Sequence, residues 1–285
     1  MTAVKTFEMN LMGRHINLPT AVFAGQVLLG LCFVGDGILN LASYDVRIAY
    51  LDLAGAAHLW NSLAALIYIS GGLMLVANRG VIAAVLALGG MLMLMTLILH
   101  SDYRPGTIGE FAPELRGEVN FKETIVHAAM LGSLVLVVSL VLPTVHSTDL
   151  VGSASRWLLS IGGGLLGLYF VINGFWQWYY FDIRLEHIVA TGGDPALLPV
   201  VIGVQILFGA CVAGAFKRRI FLPVLMTVIV LSTIMVHGDL SASAPYPPNA
   251  QIHQWFVKGA ILAGLLLLFG LARGVLPKAG STGEY

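Results

Sequence analysis

Apolar residues fall in eight long runs along the chain, separated by short polar segments. Each run has roughly 20 residues, the length that an α-helix needs to cross the hydrocarbon core of a bilayer. A soluble fold does not require so many uninterrupted runs. The pattern therefore predicts eight transmembrane helices, over residues 19–41, 58–77, 81–99, 124–142, 157–179, 197–215, 220–236 and 254–272.

The composition supports a membrane protein, since 58% of the residues are hydrophobic and 11% are charged. The first apolar run is too long for a signal peptide and lacks a basic start with a small-residue cleavage site. It is expected to remain as the first helix. Residues 1–18 before it are expected to form a cytoplasmic or interfacial segment.

The charges of the short loops predict the orientation of the chain. If eight helices alternate in direction, most basic residues fall on the side that holds both termini, and Lys217–Arg219 is the densest group. The positive-inside rule then places both termini in the cytoplasm. The expected location is the inner (plasma) membrane, as a multi-pass protein. The net charge is zero, so nucleic acid is not an expected partner. The basic residues on this side are Lys5, Arg14, Arg79, Arg156, Lys217, Arg218, Arg219, Arg273 and Lys278.

The chain contains an internal repeat. The stretch GLCFVGDG (30–37) returns as GLYFVING (167–174), 137 residues later, with five of eight positions identical. At the same offset, His100 and Asp102 match His237 and Asp239. Beyond the longer loop of the first copy the offset becomes 131, so that Lys122 matches His253 and His127 matches Lys258.

The repeat predicts an all-α integral membrane protein made of two tandem four-helix bundles. Because four is an even number, both copies cross the membrane in the same sense, and a pseudo-twofold axis along the membrane normal should relate them. The glycine pairs Gly30/Gly37 and Gly167/Gly174 should let another helix approach the first helix of each unit. The predicted divisions are an N-terminal segment (1–18), a first unit (19–143), a linker (144–155), a second unit (156–273) and a cytoplasmic tail (274–285).

Polar residues at the outer ends of the helices are the candidates for chemistry, because ionisable groups in a membrane are costly and often functional. The candidate catalytic residues are His237, Asp239, His100 and Asp102. The candidate cofactor-binding residues are Lys258, His127, His253, Asp182, Arg184, Asp45 and Arg47.

Three interpretations of this set stay open. A histidine near a carboxylate can pass protons, and with a lysine it can hydrogen-bond the carbonyl groups of a quinone. The same side chains can simply cap and anchor helix ends. Metal binding is the third interpretation, although the spacings match no dedicated metal motif, and His100 with His127 is a conceivable haem pair.

The chain resembles the DoxX family of small four-helix membrane proteins, here in tandem and over nearly its whole length. RWLLSIGGGLLGLYFVINGFWQW (from Arg156) is similar to the first helix of the family, and KGAILAGLLLL (from Lys258) is similar to the fourth. The sequence departs from the family at three positions. A first-helix lysine is Asn40 or Gln177, a second-helix acid is Tyr68 or Gln205, and the fourth-helix lysine is kept as Lys258 but is His127 in the first unit.

The resemblance implies a membrane subunit associated with quinone-linked electron transfer or with a membrane oxidoreductase complex. The alternatives are a non-catalytic scaffold subunit of a larger complex and a small-solute or ion transporter with its path between the units. The expected partners are the lipid bilayer, a quinone, and an outer-side redox protein docked on the loop at 100–123. Whether the chain is itself an enzyme stays open.

Overall fold

A computed structural model describes residues 6–11, 14–43, 57–100, 116–145, 149–190, 194–237 and 248–272. The first element is an antiparallel hairpin of β1 (Thr6–Leu11) and β2 (Arg14–Pro19). The hairpin leads directly into the first helix, so the N-terminal segment predicted over 1–18 contains paired strands. All other regular elements in the described residues are helices, which agrees with the all-α prediction.

Four helices follow the hairpin. They are α1 (Thr20–Ala42), α2 (Ala57–Val76), α3 (Val81–His100) and α4 (Arg116–Val145). These segments are apolar, and a helix satisfies every backbone hydrogen bond within such a segment without water. The predicted runs and these helices agree closely, except that α4 begins earlier than its apolar run.

Five more described helices make up the second part of the chain. They are α5 (Asp149–Tyr179), α6 (Phe181–Ala190), α7 (Leu197–Ala213), α8 (Arg218–His237) and α9 (Pro248–Ala272). The short polar helix α6 has no counterpart in the predicted runs. The segment predicted as a linker, 144–155, contains the end of α4 and the first turns of α5, so its described part is helical.

Seven of the described helices are long and apolar enough to cross a membrane. The remaining predicted span, 197–215, corresponds to α7, a shorter apolar helix of 17 residues. Many large apolar side chains on these helices point away from the protein, among them Leu86 (69% exposed) and Leu97 (65% exposed). Such surfaces fit contact with lipid, and the chain is a multi-pass membrane protein.

The turns before α3 and before α8 share an unusual backbone. Asn78 and Gly80 have positive φ angles of 51° and 59°, and Ala215 and Lys217 have positive φ angles of 59° and 40°. These pairs are related by the 137-residue offset. Because non-glycine residues rarely adopt this conformation, the match means that the same tight turn is built twice.

Helix packing follows the repeat but crosses between its two copies. Helix α1 packs against α2 and α9, whereas α5 packs against α7 and α4. Helices α4 and α9 also contact each other. The first helix of each copy therefore lies against the fourth helix of the other copy.

Glycines allow the close contacts of α1 with α2 and of α5 with α7. A Cβ atom added to Gly30 would lie 2.6 Å from the carbonyl oxygen of Gly72, and one added to Gly167 would lie 2.6 Å from that of Gly209. Distances this short leave no room for a side chain. The predicted role of these glycines in helix packing is confirmed, and both copies use the same pair of positions.

The contacts that cross between the copies use a second set of small residues. A Cβ atom on Gly25 would lie 2.8 Å from the carbonyl oxygen of Ala263, and one on Gly162 would lie 2.8 Å from that of Gly132. These residues are again repeat equivalents. Close packing is a main interaction that holds helices together in lipid. The crossed helix pairs approach about as closely as the pairs within each copy.

Candidate functional site

Ionisable side chains of the described residues meet at the two crossed helix pairs, the α1–α9 interface and the α4–α5 interface. They lie near the end of α1 and of α5, and near the beginning of α4 and of α9. These helix ends share one side of the protein if neighbouring helices alternate in direction. The two interfaces are repeat equivalents, so their chemistry can be compared position by position.

The α1–α9 interface holds an acid–base pair. His253 Nδ1 lies 2.7 Å from Asp36 Oδ1, and Asp36 is 5% exposed. A buried carboxylate at this distance fixes the orientation of the imidazole. The pair therefore joins two helices that lie far apart in sequence.

At the α4–α5 interface, Asn173 replaces Asp36 and Lys122 replaces His253 under the repeat. Tyr169, Asn173 and Trp176 share one face of α5, since they are spaced as i, i+4 and i+7. Together with Lys122 they line a small cavity, of about 10 Å³, that two isoleucines complete. A space of this size holds about one water molecule.

Two cations lie against the ring of Trp176. Lys122 Nζ is 5.0 Å from the ring centroid, and Arg184 Cζ is 4.6 Å from it. Both distances fall within the range of cation–π attraction. Trp176 also lies beside Tyr180, with 4.8 Å between the ring centroids.

A second lysine enters the interface from α9. Lys258 Nζ donates a hydrogen bond of 2.6 Å to the hydroxyl oxygen of Tyr169. Lys258 is two turns inside the apolar span Gln251–Ala272, where a charged side chain is costly and marks a functional position by default. The carboxylate of Glu123 is close enough to interact with both Lys258 and Lys122.

His237 closes the end of α8 beside this cluster. Its Nδ1 lies 2.8 Å from Gln251 Oε1, and its carbonyl oxygen accepts a hydrogen bond from Trp255 Nε1. The pKa of His237 is lowered from 6.5 to about 4, mainly by burial and also by the charges of Lys258, Lys122 and Arg184, whereas the hydrogen bond with Gln251 opposes this shift. The imidazole is therefore neutral at neutral pH. Because Gln251 Oε1 is an acceptor, Nδ1 carries the proton and Nε2 keeps a basic lone pair.

Three amide side chains meet between α5 and α7 in the second unit. Asn173 Nδ2 donates to Gln205 Oε1 at 2.9 Å, and Gln177 Nε2 lies 3.4 Å from the same oxygen. They join α5 to α7 without a net charge.

The candidate residues predicted from the sequence divide into several places. His127 lies in the first unit, where its Nδ1 is 2.8 Å from Thr96 Oγ1, and does not join Lys258. His253 faces Asp36 on α1 of the other copy. Arg184 contacts Trp176, whereas Asp182 on α6 is exposed. Asp45, Arg47, Asp102 and Asp239 and the side chain of His100 lie outside the described residues.

Several residues of the site were not among the predicted candidates, namely Asp36, Glu123, Tyr169, Trp176 and Gln251. A signal for two of them exists in the sequence, because Tyr169 and Trp176 are seven residues apart on the face of α5 that also bears Asn173. Within the described residues no group of three or more His, Cys, Asp or Glu side chains could hold a metal ion.

No family model matches the chain, and no curated protein or solved structure is significantly similar to it. The DoxX resemblance thus stays a prediction from sequence motifs. The function has to be inferred from the geometry of the two interfaces instead.

Proposed function

We propose that the chain is a DoxX-like integral membrane subunit that serves quinone-linked electron transfer together with a redox partner in an inner membrane. The observation that carries this proposal is the Lys258–Tyr169 hydrogen bond inside the apolar span, beside Lys122 and His237. The first unit lacks the corresponding lysine and tyrosine, since His127 and Cys32 occupy those positions. The second unit is therefore the proposed ligand-binding unit.

The architecture in this proposal is eight spans in two four-helix units related by a pseudo-twofold axis. The equivalent glycine contacts, the equivalent turns and the symmetric helix pairs support it. Helix α7, with 17 residues, reaches about 26 Å at 1.5 Å per residue. This length is at the lower limit for a membrane span. With eight spans, both termini lie on the same side of the membrane. The basic residues of the loops on that side place it in the cytoplasm.

The donor set of the second unit fits a ligand with carbonyl acceptors. A quinone takes up two electrons, supplied here by the redox partner, and two protons to become a quinol. Lys258 and Tyr169 can donate hydrogen bonds to a carbonyl oxygen, and the lysine charges stabilise negative charge that develops there. His237 Nε2 can accept or deliver a proton. The cavity holds about one water, so a headgroup enters only if Lys122 or Trp176 moves aside.

Purification in mild detergent from the native host tests this function. Quinone extracted from the purified protein should reach a fixed ratio to protein. Lys258→Met and Tyr169→Phe should lower that ratio about tenfold, the effect of about one charge-assisted hydrogen bond. Tyr68→Phe removes a buried tyrosine hydroxyl from the first unit and should leave the ratio unchanged. A wild-type protein without quinone, or equal retention in all variants, would contradict the proposal.

The same preparation separates the two alternatives. Stable co-purification with a larger complex, without quinone, would indicate a scaffold subunit. Transport is favoured by one observation, namely that Lys258 lies within the span between helices of the two units. Uptake of a small anion into proteoliposomes, lost in Lys258→Met, would indicate a transporter.

Reporter fusions test the proposed topology. A reporter fused after Tyr285 should be active only in the cytoplasm, and one inserted near Gly109 should be active only on the outer side. The reverse result at either place would refute the eight-span arrangement.

A further inference from the structure

The end of the α4–α5 interface gathers positive charge around two aromatic rings. Lys122 and Arg184 both contact Trp176, and Tyr180 packs against the same ring. The two cations are close enough for their charges to repel, and Lys258 adds to this repulsion. The carboxylate of Glu123 attracts Lys122 and Lys258, and Asp182 and Glu186 on α6 are exposed.

Two buried polar atoms in this group have no hydrogen-bond partner among the residues that the structure describes. They are Trp176 Nε1 and the Tyr180 hydroxyl, both shielded from solvent. An indole N–H can only donate, and a hydroxyl can donate as well. Leaving a buried donor unpaired costs free energy. These two atoms can therefore donate to an acceptor, and the positive charges of Lys122 and Arg184 beside them favour a negative one.

We propose that Lys122, Arg184, Trp176 and Tyr180 form a binding site for a phosphate group, which we name the α4–α5 anion site. A phosphate supplies several acceptor oxygens and negative charge, and guanidinium and ammonium groups bind it in complementary ways. The phosphate belongs either to a free inorganic ion or to the headgroup of an anionic lipid. Basic pockets between membrane helices bind lipid headgroups in this way.

This site adjoins the proposed quinone position and shares Lys122 and Trp176 with the cavity there. Trp176 is seven residues beyond Tyr169 on α5, which is about 10 Å along the helix axis. The anion site also lies nearer the end of the span, beside the exposed aromatic residues Phe175 and Trp178. This position suits a lipid headgroup at the edge of the bilayer. The inference goes beyond the proposed function and does not depend on it.

The experiment measures phosphate binding and lipid retention on the same purified protein. Delipidated protein in a neutral detergent is titrated with inorganic phosphate, and tryptophan fluorescence follows the environment of Trp176. In parallel, protein reconstituted in nanodiscs of phosphatidylglycerol and phosphatidylcholine is analysed by native mass spectrometry for retained lipid. A saturable fluorescence change identifies a free phosphate, and selective retention of phosphatidylglycerol identifies a lipid headgroup.

The variants decide whether the site is the one proposed. Lys122→Met should weaken binding about tenfold or more, whereas Lys122→Arg should retain it. Tyr180→Phe keeps the ring and removes one donor, so it should weaken binding less. The matched control is Lys217→Met, which removes a lysine that lies 5.2 Å from the ring of Phe216 at the opposite ends of the helices. This change should have no effect.

Three outcomes would overturn the proposal. The first is that neither phosphate nor phosphatidylglycerol binds to the wild-type protein. The second is equal binding in the wild type and in Lys122→Met. The third is an equal loss in Lys217→Met, because it would mean a general effect of surface charge. If Lys122→Met does not fold, Tyr180→Phe with Lys122→Arg provides the same decision.

Discussion

The α1–α9 and α4–α5 interfaces share one backbone arrangement and differ in their side chains. Gly25 with Ala263 in the first, and Gly162 with Gly132 in the second, bring equivalent helices into close contact. Above these contacts the first interface carries Asp36 with His253, whereas the second carries Asn173 with Lys122. The second interface therefore has an amide where the first has an acid, and a lysine where the first has a histidine.

The difference shows how a duplicated membrane unit can divide its chemistry. The α1–α9 pair is balanced, because a carboxylate faces an imidazole. Among the described residues, the α4–α5 interface gathers Lys122, Arg184 and two unpaired donors, so it is suited to an acceptor or an anion. The packing residues had to stay small for both interfaces to form, while the polar positions beside them were free to change.

The largest expected effect comes from breaking the acid–base pair from either side. His253→Leu leaves the buried carboxylate of Asp36 without this partner, which should cost about 3–5 kcal/mol. Asp36→Leu leaves an imidazole that can stay neutral, so it should cost about 1–2 kcal/mol, the range for one lost hydrogen bond. Unfolding by denaturant in detergent micelles measures both. Equal costs would mean that the pair carries no buried charge.

The second effect tests whether the two units pack in the same way. Gly30→Ala and Gly167→Ala each place a Cβ atom against a neighbouring backbone carbonyl and should destabilise the protein by about 1–3 kcal/mol. Gly90→Ala and Gly203→Ala are matched controls, since a Cβ atom there meets nothing within 4 Å. Thermal unfolding should separate the two sets. A large effect in only one unit would contradict the structural equivalence of the repeats.

The third effect concerns pH and belongs to the second unit. His237 has a pKa of about 4 in the folded protein and 6.5 otherwise, so the unfolded state binds more protons between these values. Stability should therefore fall as the pH is lowered from about 6.5 to about 4. His237→Gln should flatten this part of the profile. A profile unchanged by His237→Gln would exclude a buried neutral histidine.

The smallest effect isolates one hydrogen bond of the first unit. Thr96 and Thr233 are repeat equivalents, and each hydroxyl donates to the carbonyl oxygen four residues earlier, Leu92 or Ile229. Thr96 also accepts a bond from His127, whose equivalent is Lys258. Thr96→Val should therefore cost about 1 kcal/mol more than Thr233→Val. Equal costs would mean that the His127 contact does not contribute to stability.

The sequence by itself determined the helices, the membrane setting and the repeat. A long apolar run in lipid forms a helix, because only a helix satisfies the backbone hydrogen bonds within the segment. The glycine positions could also be predicted, since a small residue recurring on one helix face indicates close packing. Helix α6 and the hairpin could not, because their short mixed segments carry no comparable pattern.

The tertiary structure alone decided which helices pair, and with them the chemistry of the site. Two similar units offer each first helix two similar fourth helices, its own and that of the other copy, so local patterns cannot choose between them. The crossed pairing brings His253 to Asp36, 217 residues away, and places Lys122 against Trp176. The choice depends on packing summed over many helices, and such a property cannot be read from any single stretch of the chain.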